Sequence, residues 1–151
     1  MKLFLDTNVI IDALVNRNES HAASKLLLSL GYVKEFDLWV SPSQWTDMFY
    51  ILSDGGRKSQ KERAAQVLKE LRKCVRVSTL GESEVDGAMA LGWPDMEDAL
   101  VYTAAKTKSP VALIARNKAD FLRSEIPLFT CEEFFEWLRT EHGIVYDETE
   151  V

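Results

Sequence analysis

The chain has 151 residues, 46% of them hydrophobic and 28% charged, a balance that excludes low-complexity or disordered polymers and fits one globular domain. Its two cysteines, Cys74 and Cys131, stand apart without a CxxC or Cys/His cluster, which argues against a disulfide scaffold or zinc module and for buried thiols in a reducing compartment. Net charge is −6, the wrong overall sign for a nucleic-acid partner. The charge is unevenly spread, however. Residues 57–76 carry eight lysines and arginines against two glutamates, while residues 132–151 carry seven acids against Arg139. Either run alone reads equally well as a solvated helix face. No stretch approaches the roughly 18 apolar residues of a membrane span. Only Leu3, Phe4 and Leu5 supply an apolar run before the first acid, too little for a signal-peptide core. The expectation is a cytoplasmic protein with no membrane association.

In chain order, Lys2 to Leu5 is short and apolar and predicts a first strand. A helix over Val9 to Val15 follows, with Asp6 or Asn8 as a candidate cap. The next helical pattern carries Leu26, Leu27 and Leu30, expected to offer an exposed apolar surface, and stops at Gly31. Asp37 to Val40 predicts a second strand, and Ser41-Pro42 opens a helix to Leu52 whose Trp45, Met48, Phe49 and Ile51 call for burial of most of its circumference. Gly55-Gly56 ends it, and Ser59 to Glu62 fits a capping box for the helix after it. Val75 to Thr79 predicts a third strand, Gly92 another stop, and Trp93-Pro94-Asp95 a helix start. Val111 to Ala115 and Pro127 to Phe129 predict the last strands, and Thr130 to Glu133 fits a second capping box. Strands alternating with helices imply a parallel sheet of about five strands in a three-layer α/β/α sandwich. The domain is expected over residues 1–143, with 144–151 a fraying acidic tail.

In open parallel sheets, ligands sit beyond the carboxyl ends of the strands. Asp6 directly follows the first strand, and Asp120 follows the fourth through Arg116-Asn117-Lys118-Ala119. Two more acids stand on helices, where aspartate is a poor helix former: Asp47 among apolar neighbours, and Asp98 three residues after Asp95, itself the natural cap. Glu97 is expected in solvent. Singly, each acid has a capping or surface explanation. Together, carboxylates in one cleft repel one another unless cations neutralise them. An all-oxygen set of this kind suits Mg²⁺ or Mn²⁺, and a bound ion that activates water points to phosphodiester hydrolysis.

The segments Leu3-Phe4-Leu5-Asp6-Thr7-Asn8-Val9, Val40-Ser41 with Asp47-Met48, Asp95-Met96-Glu97-Asp98-Ala99-Leu100 with Ala104-Ala105, and Ile114 to Phe121 resemble, in order and spacing, the PIN-domain family of ribonucleases, which includes the VapC-type toxins of bacterial toxin–antitoxin pairs. The resemblance covers roughly Met1 to Leu138, with Cys131-Glu132-Glu133-Phe134 in place of the family's closing helix. It implies a Mg²⁺- or Mn²⁺-dependent ribonuclease in which Asp6, Asp47, Asp98 and Asp120 hold the metal and Asn8, Asp95 and Asn117 support it. It implies RNA as substrate, a cognate antitoxin as partner, and a homodimer. Arg57, Lys58, Lys61, Arg116 and Lys118 are the candidate phosphate contacts, with Arg123 beside them. Two departures imply reduced activity: Asp47 stands where the family more often has glutamate, and Ala115 where it commonly has a hydroxyl. An aspartyl-phosphate enzyme of the dehalogenase type would want a second aspartate at position 8, which is Asn8, and a toprim-type nuclease would want a DxD pair. A catalytically weak or inactive RNA- or protein-binding module of the same fold stays open beside the nuclease.

Overall fold

A computed structural model describes residues 1–147. In chain order its main elements are β1 (Lys2–Leu5), α1 (Thr7–Leu14), α2 (His21–Tyr32), β2 (Asp37–Val40), α3 (Ser43–Leu52), α4 (Lys61–Leu71) and β3 (Val75–Val77). They continue with α5 (Glu82–Ala90), α6 (Met96–Lys108), β4 (Ala112–Ile114), β5 (Leu128–Phe129) and α7 (Cys131–His142). The five strands form one sheet in the order β3-β2-β1-β4-β5, every neighbouring pair parallel. The expected three-layer α/β/α sandwich is what forms. β3, β4 and β5 are shorter than their sequence runs, but the ladder reaches further. Val111 N–H donates to the Lys2 carbonyl at 2.8 Å, and Ala115 N–H to that of Phe129 at 2.9 Å.

The strands alternate between two cores, as a pleat of period two requires. Leu3, Leu5, Leu38, Val40, Ala112 and Ile114 face a layer built with α1, α2 and α7 through Ile10, Leu27, Phe134 and Leu138. Phe4, Trp39, Leu113 and Ala115 face the other layer, against Val101, Tyr102, Ala104 and Ala105 of α6. Strand order reverses between β1 and β4, so the crevice at their carboxyl ends is where such a fold opens to ligands.

One buried side chain fixes the geometry there. Gln44 is fully buried. Its Oε1 accepts from the Ser41 N–H at 2.7 Å, and its Nε2 donates to the Leu5 carbonyl at 2.9 Å and to Thr7 Oγ at 3.3 Å. Ser41 Oγ accepts in turn from the Ser43 N–H at 3.2 Å. These bonds tie the ends of β1 and β2 to the start of α3.

Several local expectations meet a different outcome. Gly31 does not stop a helix. It lies inside α2, where a Cβ would stand 2.3 Å from Leu38 Cδ1 and 2.8 Å from the Cys74 carbonyl oxygen, so close approach to the sheet requires glycine. Leu27 and Leu30 are core residues, and Leu26 packs against them, because α2 turns this face to the sheet rather than to solvent. α3 is less covered than its composition implies: Gln44 and Met48 are buried, but Tyr50 is 61% exposed. Ser59 sits within a one-turn 3₁₀ helix, Lys58–Gln60, and makes no capping bond for α4. Asp95 and Thr130 do cap α6 and α7 as expected, and Gly55, Gly56 and Gly92 take positive φ after α3 and α5. Ile144 and Tyr146 do not fray. Both pack on the core, Tyr146 edge-on to Phe36 at 5.5 Å between ring centroids and donating to Glu35 Oε1 at 2.7 Å. Residues 148–151 of the expected tail lie outside the described residues. Among the described residues no helix is long and apolar enough to cross a membrane.

Gln44→Met keeps the volume of the side chain and orphans the Ser41 amide and the Leu5 carbonyl, so it is expected to cost about 2–4 kcal/mol, seen as a lower urea midpoint at unchanged slope. Gly31→Ala is expected to cost about 1–3 kcal/mol through overpacking, since the Cys74 carbonyl cannot swing aside as a side chain can. The same denaturation measurement checks it.

Candidate active site

Asp6 leaves β1 in extended conformation, φ −75° and ψ 156°, and occupies the N-cap position of α1 without a capping bond from its side chain. That disposes of the plainest structural reason for an aspartate there. It is 7% exposed. Burial pushes its carboxyl up to about 6; the Thr7 amide opposes the rise, Asp120 adds to it and Arg116 opposes it. Its own N–H donates to the Ile114 carbonyl at 2.9 Å, which seats it beside the end of β4.

Asp98 stands in the first turn of α6, its amide donating to Asp95 Oδ1 at 3.0 Å. Partial burial raises its carboxyl to about 7, helped by the negative charges of Asp95, Asp120, Asp6 and Glu97. Asp120 lies in the turn after β4 and accepts from Asn117 Nδ2 at 3.3 Å, while Asn117 Oδ1 accepts from the Ala119 N–H. The predicted supporting positions of Asp95 and Asn117 are therefore a helix cap and a turn cap that hold the two outer acids. Asn8 lies to the side, its Oδ1 accepting from Arg17 Nη2 at 3.0 Å.

Asp47 joins the group from α3, with a partner that sequence reasoning placed in solvent. Glu97 is exposed, yet burial of its carboxyl, the charge of Asp47 and a hydrogen bond to Asp47 raise it to about 7, with Asp95 and Asp6 adding to the rise. The acids thus fall into two linked sets: Asp6, Asp98 and Asp120 around the β1–β4 crevice, and Asp47 with Glu97 at its flank. A run of Asp95, Glu97 and Asp98 at one helix start carried the signal for Glu97. The contact with α3 that gives it meaning is not visible in the chain order.

Beside the acids lies a cleft of about 390 Å³ lined by Trp93, Pro94, Asp95, Asp98, Ala119, Asp120, Leu122 and Arg123. Trp93 stacks on Tyr102 at 4.8 Å and meets Phe121 edge-on, so that wall is anchored in the core, while Leu122 is 78% exposed at the rim. The candidate cations are placed unequally. Lys118 Nζ is bound to both oxygens of Glu133 at 2.9 and 2.8 Å, and Arg116 Nη1 to Asp12 at 2.9 Å. Arg57 and Lys58 are exposed between α3 and α4 and Lys61 at the start of α4, Arg57 paired with Asp54 at 2.8 Å.

Among the described residues, no three His, Cys, Asp or Glu side chains already stand close enough together to hold an ion. The donor set nonetheless fits a hard divalent cation in kind. Every donor is a carboxylate oxygen, and Asp6, Glu97 and Asp98 are raised first by burial and then by neighbouring carboxylates, both of which a bound cation offsets. Asp47, Glu97, Asp98 and Asp120 are partly or fully exposed and free of core packing on one side.

A family model described as a PIN domain matches residues 2–119. Ribonuclease VapC1 of Aquifex aeolicus (strain VF5) is 33% identical over 140 residues, covering 89% of this chain and 94% of that one. The solved structure of VapBC2 from Rickettsia felis bound to a DNA fragment from their promoter has a similar chain, with TM-score 0.65 and 18% identity over 85% of this chain and 97% of that one. VapBC-1 from nontypeable Haemophilus influenzae gives TM-score 0.63 and 19% identity over 87% and 99%.

Raised carboxyls hold protons more tightly folded than unfolded, so their contribution is full below about pH 4 and is lost as pH rises through about 6 to 7. In chelator, the melting temperature is expected to fall by a few degrees between pH 5 and pH 8. Millimolar Mg²⁺ or Mn²⁺ should recover more of it at pH 8 than at pH 5, and Asp6→Asn should flatten both trends in a calorimetric scan.

Proposed function

The chain belongs to the PIN domain family, and from that premise we propose that it is a Mg²⁺- or Mn²⁺-dependent endoribonuclease, the toxin of a type II toxin–antitoxin pair. The observation that carries the reading is the gathering of Asp6, Asp98 and Asp120, with Asp47 and Glu97 beside them, at the carboxyl ends of β1 and β4, where burial and neighbouring carboxylates raise Asp6, Glu97 and Asp98. Asp6, Asp98, Asp120 and Asp47 would hold the ion, with Asn8, Asp95 and Asn117 in supporting positions. When bound, the ion supplies an acidified water and charge stabilisation for phosphodiester hydrolysis.

The chain's own residues do the rest. Asp6 is seated at the end of β4 by the hydrogen bond from its N–H to the Ile114 carbonyl. Asp95 caps the Asp98 backbone and Asn117 donates to the Asp120 carboxylate, so the chain that carries both acids needs little ordering on binding. Trp93, Pro94 and Leu122 offer an apolar wall to a base, and Arg123 faces the same cleft. Phosphates flanking the cleft would meet Arg116 and Arg123, with Arg57, Lys58 and Lys61 available further along the strand. Lys118 reaches RNA only by leaving Glu133.

The likeness to Ribonuclease VapC1 and to chains of VapBC complexes supports a cognate antitoxin as partner. A homodimer is part of the same reading. A catalytically weak module has one observation in its favour. Ala115 is fully buried and its methyl packs in the α6 core, so no hydroxyl from that position orients the site.

A mixed RNA pool should be cut by the wild type with Mg²⁺ or Mn²⁺ and left intact in chelator. Asp98→Asn should lose activity by about 100-fold or more, in the range of removing one transition-state charge partner. Equal cutting in all three would mean a contaminant and sink the assignment; binding of RNA without any cutting would favour the module.

A further inference from the structure

Asp12 is a fully buried carboxylate in α1, outside the acid cluster. One of its oxygens, Oδ1, accepts three bonds: from Arg17 Nε at 2.8 Å, Asn18 Nδ2 at 2.9 Å and Arg116 Nη1 at 2.9 Å. The other, Oδ2, is buried without a hydrogen-bond partner among the described residues. A fold gains little from such a group. Burying a charge is costly unless every lone pair is met, and a well-packed apolar residue is often the more stable choice.

What Asp12 does is span the fold. It joins α1 to the end of β4, and there it pins the guanidinium of Arg116. Arg116 follows Ala115, whose strand neighbour Ile114 receives the Asp6 amide, and its positive charge acts on Asp6. Its side chain remains 38% exposed, with only Nη1 bound to protein among the described residues. Arg17 reaches from the same oxygen to Asn8 with its other arm. Two guanidiniums on one buried carboxylate leave a surplus positive charge at the rim of a crevice otherwise lined by acids. A phosphodiester approaching Asp6, Asp98 and Asp120 needs such a cation, held at a fixed place, to offset their repulsion.

We propose that Asp12 is a positioning residue that clamps Arg116 at the rim of the carboxylate crevice, so that the free edge of the guanidinium takes a non-bridging oxygen of an RNA phosphate. The inference rests on the ribonuclease reading and deepens it. Arg116 is the contact, and Asp12 acts through it.

The test is fluorescence anisotropy of a labelled, mixed-sequence, short oligoribonucleotide, in an Asp98→Asn background with Mg²⁺ so that the strand stays whole, at several salt concentrations. Arg116→Ala is expected to weaken binding about 3- to 10-fold and to reduce the slope of log affinity against log salt by about 0.7, one single-strand phosphate contact. Asp12→Asn, which keeps the volume of the side chain, should do the same. The double variant should be no weaker than either single one, since both remove one clamp. Arg116→Lys should restore the salt slope in part. A purely structural Asp12 would lower the melting temperature and leave the salt slope unchanged, and that result overturns the proposal, as does additivity in the double variant. Side-chain NMR of Arg116 in the Asp12 protein gives a check that needs no Asp12 variant: its guanidinium signals must move on adding RNA, and their standing still refutes the contact. If the intact chain cuts RNA while these variants bind it as before, the clamp falls and the nuclease stands. If the chain neither cuts nor binds RNA, both fall.

Discussion

A single buried amide holds the working edge of this domain together. Gln44 bonds at once to the end of β2 through the Ser41 amide, to the end of β1 through the Leu5 carbonyl and to the start of α1 through Thr7. Inside a protein, a polar group so placed is strongly directional, because each unmet bond costs far more than it would in water. Asp6 lies between the two β1–α1 contacts, and Asp47 lies one helical turn after Gln44 on α3. Their relative position is therefore set by hydrogen-bond geometry rather than by apolar packing, which tolerates slippage.

That rigidity makes the acid cluster tolerable. Asp6 is held in a nearly dry place, and burial together with nearby acids raises Glu97 and Asp98 to about 7. The caps fix the backbone that carries the outer acids: Asp95 and Asn117 bond the local backbone beside Asp98 and Asp120, while Lys118 and Glu133 link the turn after β4 to the capping box of α7. Helix ends, often treated as punctuation, here carry the acids. The destabilisation is local, while two apolar cores pack the two sides of the sheet.

Much of this is legible in the chain. The β runs, the strand-end acids Asp6 and Asp120, the caps at Asp95 and Thr130 and the parallel architecture follow from period, composition and connection length, because each is a short-range property. Gly31, Leu27 and Leu30 went the other way for one reason: a helix periodicity shows that a face is apolar but not which neighbour covers it. The roles of Gln44 and Asp12 are not legible in the chain order, and that of Glu97 shows only as one more acid at a helix start. Each looks like an ordinary polar residue on a helix, and each acquires its role from a partner distant in sequence, such as Arg116 for Asp12. The apolar α3 misled in the opposite sense, since Tyr50 and Ile51 remain exposed.

The alternation of β1 between its two cores bears on how such a chain can change. Leu3 and Leu5 face one layer and Phe4 the other, and Asp6, still extended, continues that alternation at the edge. Parity along the strand thus acts as an address for the acid. Exchanging one apolar residue for another in β1 leaves the address intact. Inserting or deleting a residue reverses it, bringing an apolar side chain to the crevice and turning the carboxylate toward the core. Drift in this region is confined to substitution, and variation in length must be absorbed in the connections beyond the sheet.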